Sequence, residues 1–229
     1  MKGWHFLVSA AHVLDKLHDR QRYYFPIAPR VTRQILGRVL VAGVDAGTSR
    51  QDDSVDVGVV ILEGDGLPPY PDMNIEGLGF DRIARRKPNR HLAQYAFCGF
   101  PASKGKGNPV SKKFEPLLNT YLSGSVSRER YEEVGLNSRS HIVMPFDSRN
   151  VFDVAGDRVI FPAPSGMSGS PVWQLTGPTP AERKVVGVFI EYRERKKVFV
   201  ATDIGFVFDF IRAEVQKRVD ARSSSSGTT

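Results

Sequence analysis

The strongest constraint on this chain is its punctuation. Short runs rich in Val, Ile, Phe and Tyr recur between clusters of Gly, Pro, Asn and Asp. That is the pattern of an all-β sandwich or barrel, and it excludes a succession of βαβ units. In the first half such runs fall at residues 4–10, 36–44, 55–62 and, more weakly, 75–83. From Tyr95 onward they fall at 95–100, 118–127, 141–146, 170–175, 184–192 and 197–203, enough strands to close a second barrel. Between the halves, Arg85-Arg86-Lys87-Pro88-Asn89-Arg90 is charged, lacks apolar periodicity and is broken by a proline, so it reads as a linker. Near the end, Val207, Ile211, Val215 and Val219 recur every four residues, with Asp209 early and Lys217 and Arg218 late. Such spacing and charge order predict an amphipathic helix that packs by its apolar stripe. The organisation read from these signals is a β unit over 1–84, a linker over 85–94, a second β unit with a closing helix over 95–222, and an unstructured Ser-rich tail over 223–229.

Composition narrows the setting. The chain has 229 residues and a single cysteine, Cys98, which rules out a disulfide within the chain and suits a reducing, cytoplasmic environment. The first thirteen residues are interrupted by His5 and Ser9 and carry neither a basic n-region nor an A-x-A site, so no signal peptide is read. No apolar stretch is long enough to span a membrane, and a soluble protein is expected. The formal charge of +7 and the pI near 9.6 raise nucleic acid as a partner. However, the basic runs at 82–87 and 104–113 lie in no nucleic-acid motif and have no aromatic residues interleaved for stacking. They are read as solvated loops, and nucleic acid is not an expected partner. The five histidines show no metal-ligand spacing, and Gly99–Lys106 fails as a phosphate loop because Lys104 stands at its second glycine. Neither metal nor cofactor is expected.

Three segments carry chemistry. In Phe6-Leu7-Val8-Ser9-Ala10-Ala11-His12 an apolar strand runs through two alanines into a histidine. A lone histidine there is more often a satisfied core or loop group than a base. Asp56 opens the uninterrupted run Val57-Gly58-Val59-Val60-Ile61-Leu62, where a carboxylate drawn inward needs a donor such as an imidazole N–H. Asp52 and Asp53 compete with it, and a turn aspartate that starts a strand is the plainer reading. In Gly166-Met167-Ser168-Gly169-Ser170-Pro171 the glycines permit a tight turn whose Gly166 and Ser168 amides can converge beside the Ser168 hydroxyl. Alone, that segment is also an ordinary interstrand turn.

Together, Ser9-Ala10-Ala11-His12, Asp56-Val57-Gly58-Val59, Gly166 to Pro171 and the later Val186-Gly187-Val188 resemble the trypsin-like (chymotrypsin-fold) serine peptidases, in particular the bacterial intracellular, disulfide-free type. The order His, Asp, Ser suits that fold and not the order of α/β-hydrolases or subtilisins. The resemblance implies two antiparallel β-barrels with the site in the cleft between them. It implies His12 as general base and then acid, Asp56 holding its tautomer, Ser168 as nucleophile, and the Gly166 and Ser168 amides as the oxyanion hole. Its substrate would be a protein or peptide. Substrate-binding positions carried over are Pro162, Ala163, Phe189, Ile190, Glu191 and Tyr192, with Phe189 and Tyr192 narrowing the pocket and no aspartate at its base, so cleavage after Arg or Lys is not supported.

One departure qualifies the resemblance. Family members have two strands before the histidine segment, whereas His12 stands near the start here. The first barrel is therefore expected to lack its N-terminal strands, with a second copy or another strand donor completing it. Filling the gap with residues 21–35 is physically awkward, because Pro26 and Pro29 restrict laddering and Arg20, Arg22, Arg30 and Arg33 resist burial. The alternative to an active endopeptidase is a truncated, protease-fold binding module.

Overall fold

The computed structural model describes residues 4–18, 23–28, 31–35, 37–42, 55–62, 77–84, 93–104, 106–108, 113–115, 118–153, 155–175, 179 and 182–225. The first half runs β1 (Phe6–Ser9), α1 (Ala11–His18), β2 (Tyr23–Ala28), β3 (Val31–Ile35), β4 (Gly37–Val41) and β5 (Gly58–Leu62). Strands β1 and β4 flank β5 in an antiparallel three-stranded sheet, with Phe6 opposite Ile61 and Val8 opposite Val59. Central placement explains the uninterrupted apolar run of β5: Val59, Val60 and Ile61 are all buried, on both faces of the strand.

One expectation for this half is corrected. The run 75–83 is not a strand over its described part. Residues 77–79 are irregular, Phe80–Arg82 form one 3₁₀ turn, and only Ile83 makes a bridge, to Val185 of the second half. Gly77 and Gly79 leave no side chains for a strand to pack there. Tyr23–Ala28 and Val31–Ile35 form strands despite Pro26, because among the described residues β2 and β3 pair only with each other, so each is an edge, and the register shifts between Pro26 and Ala28. That hairpin does not join the β1-β5-β4 sheet. The proposed linker 85–94 lies outside the described residues except for its last two, and Gln94 already belongs to the next strand.

The second half contains β6 (Gln94–Gly99), β7 (Lys106–Asn108), β8 (Lys113–Glu115), β9 (Asn119–Gly124), α2 (Arg128–Val134), β10 (His141–Pro145), β11 (Val151–Phe152), β12 (Arg158–Val159), β13 (Pro171–Gln174), β14 (Lys184–Arg193), β15 (Val198–Asp203) and α3 (Ile204–Ser225). Six of these strands form an antiparallel sheet in the order β10-β15-β14-β13-β6-β9, curled until its two ends meet. Alternation along β9 turns Tyr121 and Ser123 inward and Leu122 outward. Both inward hydroxyls donate to the Pro145 carbonyl on β10, at 3.1 Å and 3.0 Å, so side chains fasten the seam. Burial pushes the Tyr121 phenol up, with the Ser123 hydrogen bond opposing, which keeps it a neutral donor.

Inside this curl the core is aromatic. Phe199 stacks on Phe146 at 4.0 Å and meets Phe97, Phe189, Tyr121 and Tyr192 edge-on. Two parts of the basic run expected to be a solvated loop, Lys106–Asn108 and Lys113–Glu115, instead pair as the β7–β8 hairpin. At the other basic run, the Arg82 guanidinium lies over the Trp173 ring, 5.8 Å from its centre. Helix α2 arises where no helix was read. Its start is capped by the Ser127 side chain, its end by Gly135 in the left-handed region, and it buries Tyr131 and Val134.

Helix α3 carries the expected stripe. Val207, Ile211 and Val215 are buried, while Val219 is 47% exposed and marks where contact ends. The helix continues through Ser225, three residues into the stretch expected to be unstructured. Its stripe faces the first half as well as the second: Val207, Ile211 and Val215 share one apolar cluster with Val57, Val59, Val185 and Val188, against which Trp4, Phe6 and Val8 also pack. A cavity of about 340 Å³ remains in that space, lined by Phe6, Val8, Phe80, Val207, Phe208 and Gly169 among others. The chain is thus mostly antiparallel β, with a curled six-stranded sheet, a three-stranded sheet leaning on it and one long C-terminal helix. Among the described residues no helix is long and apolar enough to cross a membrane.

Candidate active site

His12 lies in the first turn of α1, where Val13 and Leu14 donate back to the Ala10 carbonyl. Ala10 cannot cap that turn with a side chain, and α1 has no acidic residue in its first turn. The missing cap comes from across the sheet. Asp56 Oδ1 accepts the His12 backbone N–H at 2.9 Å, and Asp56 Oδ2 accepts from the ring Nδ1. The sequence makes this reach feasible: Ala10 and Ala11 are fully buried, and Gly58 leaves the space that Leu14 and Ala11 occupy, so α1 presses directly on β5. The Asp56 side chain is 8% exposed and that of His12 32% exposed. A buried carboxylate needs a donor, so Nδ1 carries the proton and Nε2 keeps its lone pair for a second partner. Asp52 and Asp53, which compete with Asp56 in the sequence, lie outside the described residues.

Ser168 stands in the tight turn before β13. Gly166 and Gly169 both have positive φ, +87° and +94°, a region where other residues are strained. Gly169 is further required by contact, since a Cβ there would lie 2.3 Å from Ser9 Oγ, on the segment that leads into His12. Within the turn Met167 donates to the Pro164 carbonyl, Gly169 to Phe189 and Ser170 to Met167, at 3.0, 2.8 and 3.1 Å. Between them, the amides of Gly166 and Ser168 make no backbone hydrogen bond within the described residues. Each of them adjoins the bonded Met167 amide.

The structure joins His12 to Asp56 directly. The Ser168 hydroxyl instead donates to the Ile190 carbonyl at 3.0 Å. Ile190 in turn shares an apolar cluster with Ala10, and Val13 packs against that cluster, so the turn and the histidine segment meet at the junction of the two halves. Ile190 and Phe189, expected to line the substrate pocket, are both buried. What these two offer the site is backbone: the Ile190 carbonyl holds the hydroxyl, and the Phe189 carbonyl holds the Gly169 amide. The register shift between Phe189 and Glu191 leaves Ile190 without a partner on β15, and no residue pattern announces it. Tyr192 packs on Phe146 and Phe199, Glu191 pairs with Arg193 at 2.6 Å, Pro162 is half-buried and Ala163 is exposed.

A two-sheet β architecture with a His–Asp pair on the smaller sheet and a glycine-bracketed serine on the curled one defines a chymotrypsin-like fold. A likeness to a solved structure supports that class: the chain is similar to neuropsin, a serine protease expressed in the limbic system of mouse brain, with a TM-score of 0.58 and 15% identity over 92% of this chain and 84% of that one. No protein-family model and no curated protein sequence matches the chain.

Proposed function

We propose that the chain is a serine endopeptidase that hydrolyses peptide bonds through an acyl-enzyme. In this reading His12 Nε2 takes the Ser168 proton as oxygen attacks the scissile carbonyl, the Gly166 and Ser168 amides stabilise the tetrahedral oxyanion, and His12 then protonates the leaving amine. The observation that carries the reading is the Asp56 carboxylate bound to both nitrogens of His12 that face it, which fixes the tautomer a general base requires. Engaging His12 requires the Ser168 hydroxyl to leave the Ile190 carbonyl, and catalytic hydrogen bonds often tighten when substrate arrives. A fluorophosphonate probe tests the reading: the intact chain is labelled and Ser168→Ala is not. Chelators leave the rate unchanged, and acid lowers it because only a neutral imidazole accepts the proton.

The hydroxyl's present partner favours a second reading, a protease-fold binding module in which Ser168 is structural. Absence of labelling in a folded chain would select it. Among the described residues, β1 has one unpaired edge. Leu62 donates to the His5 carbonyl, so by strand alternation the backbone groups of Phe6 and Val8 point away from β5. We propose that a second copy of the chain pairs there, and Val8→Pro, which removes an outward N–H and no bond to β5, returns the assembly to monomers in a mass measurement. The unpaired thiol of Cys98 suits action in the reducing cytoplasm.

A further inference from the structure

Between the two unspent amides stands a buried side chain. Met167 is 1% exposed and belongs to the core of the curled sheet with Phe97, Val172 and Phe189. Its seat lies at the end of β6, where Gly99 has no side chain: a Cβ there would stand 3.0 Å from Met167 Cε, 3.2 Å from Met167 Cβ and 2.4 Å from Ser170 Oγ. Residues 163–171 contain no charged group, so no ion pair within the segment holds the turn. What holds it is the burial of Met167 together with backbone bonds on either side, Ala102 to the Ser165 carbonyl at 2.8 Å and Gly169 to Phe189 at 2.8 Å. The Met167 N–H and C=O are both spent inside the turn, and the flanking Gly166 and Ser168 amides make no backbone hydrogen bond among the described residues.

We infer that Met167 is a positioning residue: its thioether, seated over Gly99, pins the peptide groups on either side so that the Gly166 and Ser168 amides stay directed at the oxyanion. This rests on the reading of Ser168 as nucleophile. Apolar burial, and no charge, then sets the donors, so their order does not depend on pH or salt. Displacing a preorganised donor of this kind costs on the order of 10²-fold in rate.

The test compares second-order rates of fluorophosphonate labelling in the full chain. Met167→Ala slows labelling by about 10²-fold at every pH, with the shape of the profile unchanged because His12 is untouched, whereas Met167→Leu, which conserves volume, restores the rate to within a few-fold. Val186→Ala truncates another buried member of the same core; it lowers stability and leaves the labelling rate of the folded protein near wild type. Gly99→Ala presses on the same seat from β6 and slows labelling even where Met167→Ala does not fold. Wild-type rates in Met167→Ala or Gly99→Ala, or equal slowing in Val186→Ala, overturn the inference while leaving the nucleophile standing. An unlabelled wild type overturns the nucleophile itself, and the inference with it.

Discussion

The two halves of the molecule solve the same packing problem with unequal means. The curled sheet has six strands, a ring of aromatic side chains inside and a seam fastened by Tyr121 and Ser123. The β1-β5-β4 sheet has three strands, and one of its faces is covered by residues from elsewhere: Val185, Val188 and the stripe of α3. Yet that smaller sheet supports the His12–Asp56 pair, while the self-sufficient one supports Ser168. The difference teaches that the proposed base is held by borrowed packing and the proposed nucleophile by its own, so the candidate site should be first lost on the side of His12.

Four measurements sharpen or break that comparison. Ser168→Ala removes the group the curled sheet supplies, and the hydrolytic rate should fall on the order of 10⁶-fold; a peptidase assay retaining substantial rate would contradict the assignment. Asp56→Asn removes only the orientation the smaller sheet supplies, and the fall should be about 10⁴-fold with the fold kept. If the two losses were equal, the halves would not differ as argued. On stability, Phe199→Ala empties the centre of the aromatic cluster and should cost about 3–5 kcal/mol in urea unfolding. Phe6→Ala, at a half-buried site beside an existing cavity, should cost clearly less.

The smallest effect belongs to the surface of the curled sheet. Asp147 is held below the usual carboxylate range first by its hydrogen bond from Lys197 and then by the Arg149 backbone N–H. A carboxyl lowered by folding stabilises the fold above its unfolded value, and that contribution disappears as pH falls through the folded value. Lys197→Met should therefore raise the Asp147 titration towards the ordinary range in an NMR experiment and lower stability only slightly at neutral pH, with mutant and wild type converging in acid.

Much of the curled sheet was legible in the residues. Strands such as β15, buried along its whole length, are β-branched and aromatic runs bounded by turn formers. The pair α2 and β7–β8 was not legible, because Tyr131 and Val134 make a single helical contact pair and Lys106–Glu115 reads as charge before it reads as strand. Val207, Ile211 and Val215 announce a helix face but not the surface it meets, and contact with the smaller sheet is decided by tertiary packing. At the candidate site, the joint resemblance of three segments singled out His12, Asp56 and Ser168, though each segment alone has a plainer reading, and the structure brings His12 and Asp56 into contact. The backbone role of Ile190 was not legible, since it depends on a register shift in β14.

One carboxylate holds both the ring and the peptide N–H of His12, and the two residues stand 44 apart in the chain. That shared grip gives the site its own gauge. While Asp56 holds the peptide N–H, the amide hydrogen of His12 is shielded from exchange with solvent, and an opening that withdraws Asp56 frees ring and amide together. The exchange rate of a single backbone proton therefore reports how often Asp56 withdraws from the histidine, with no substrate present and no chemistry taking place.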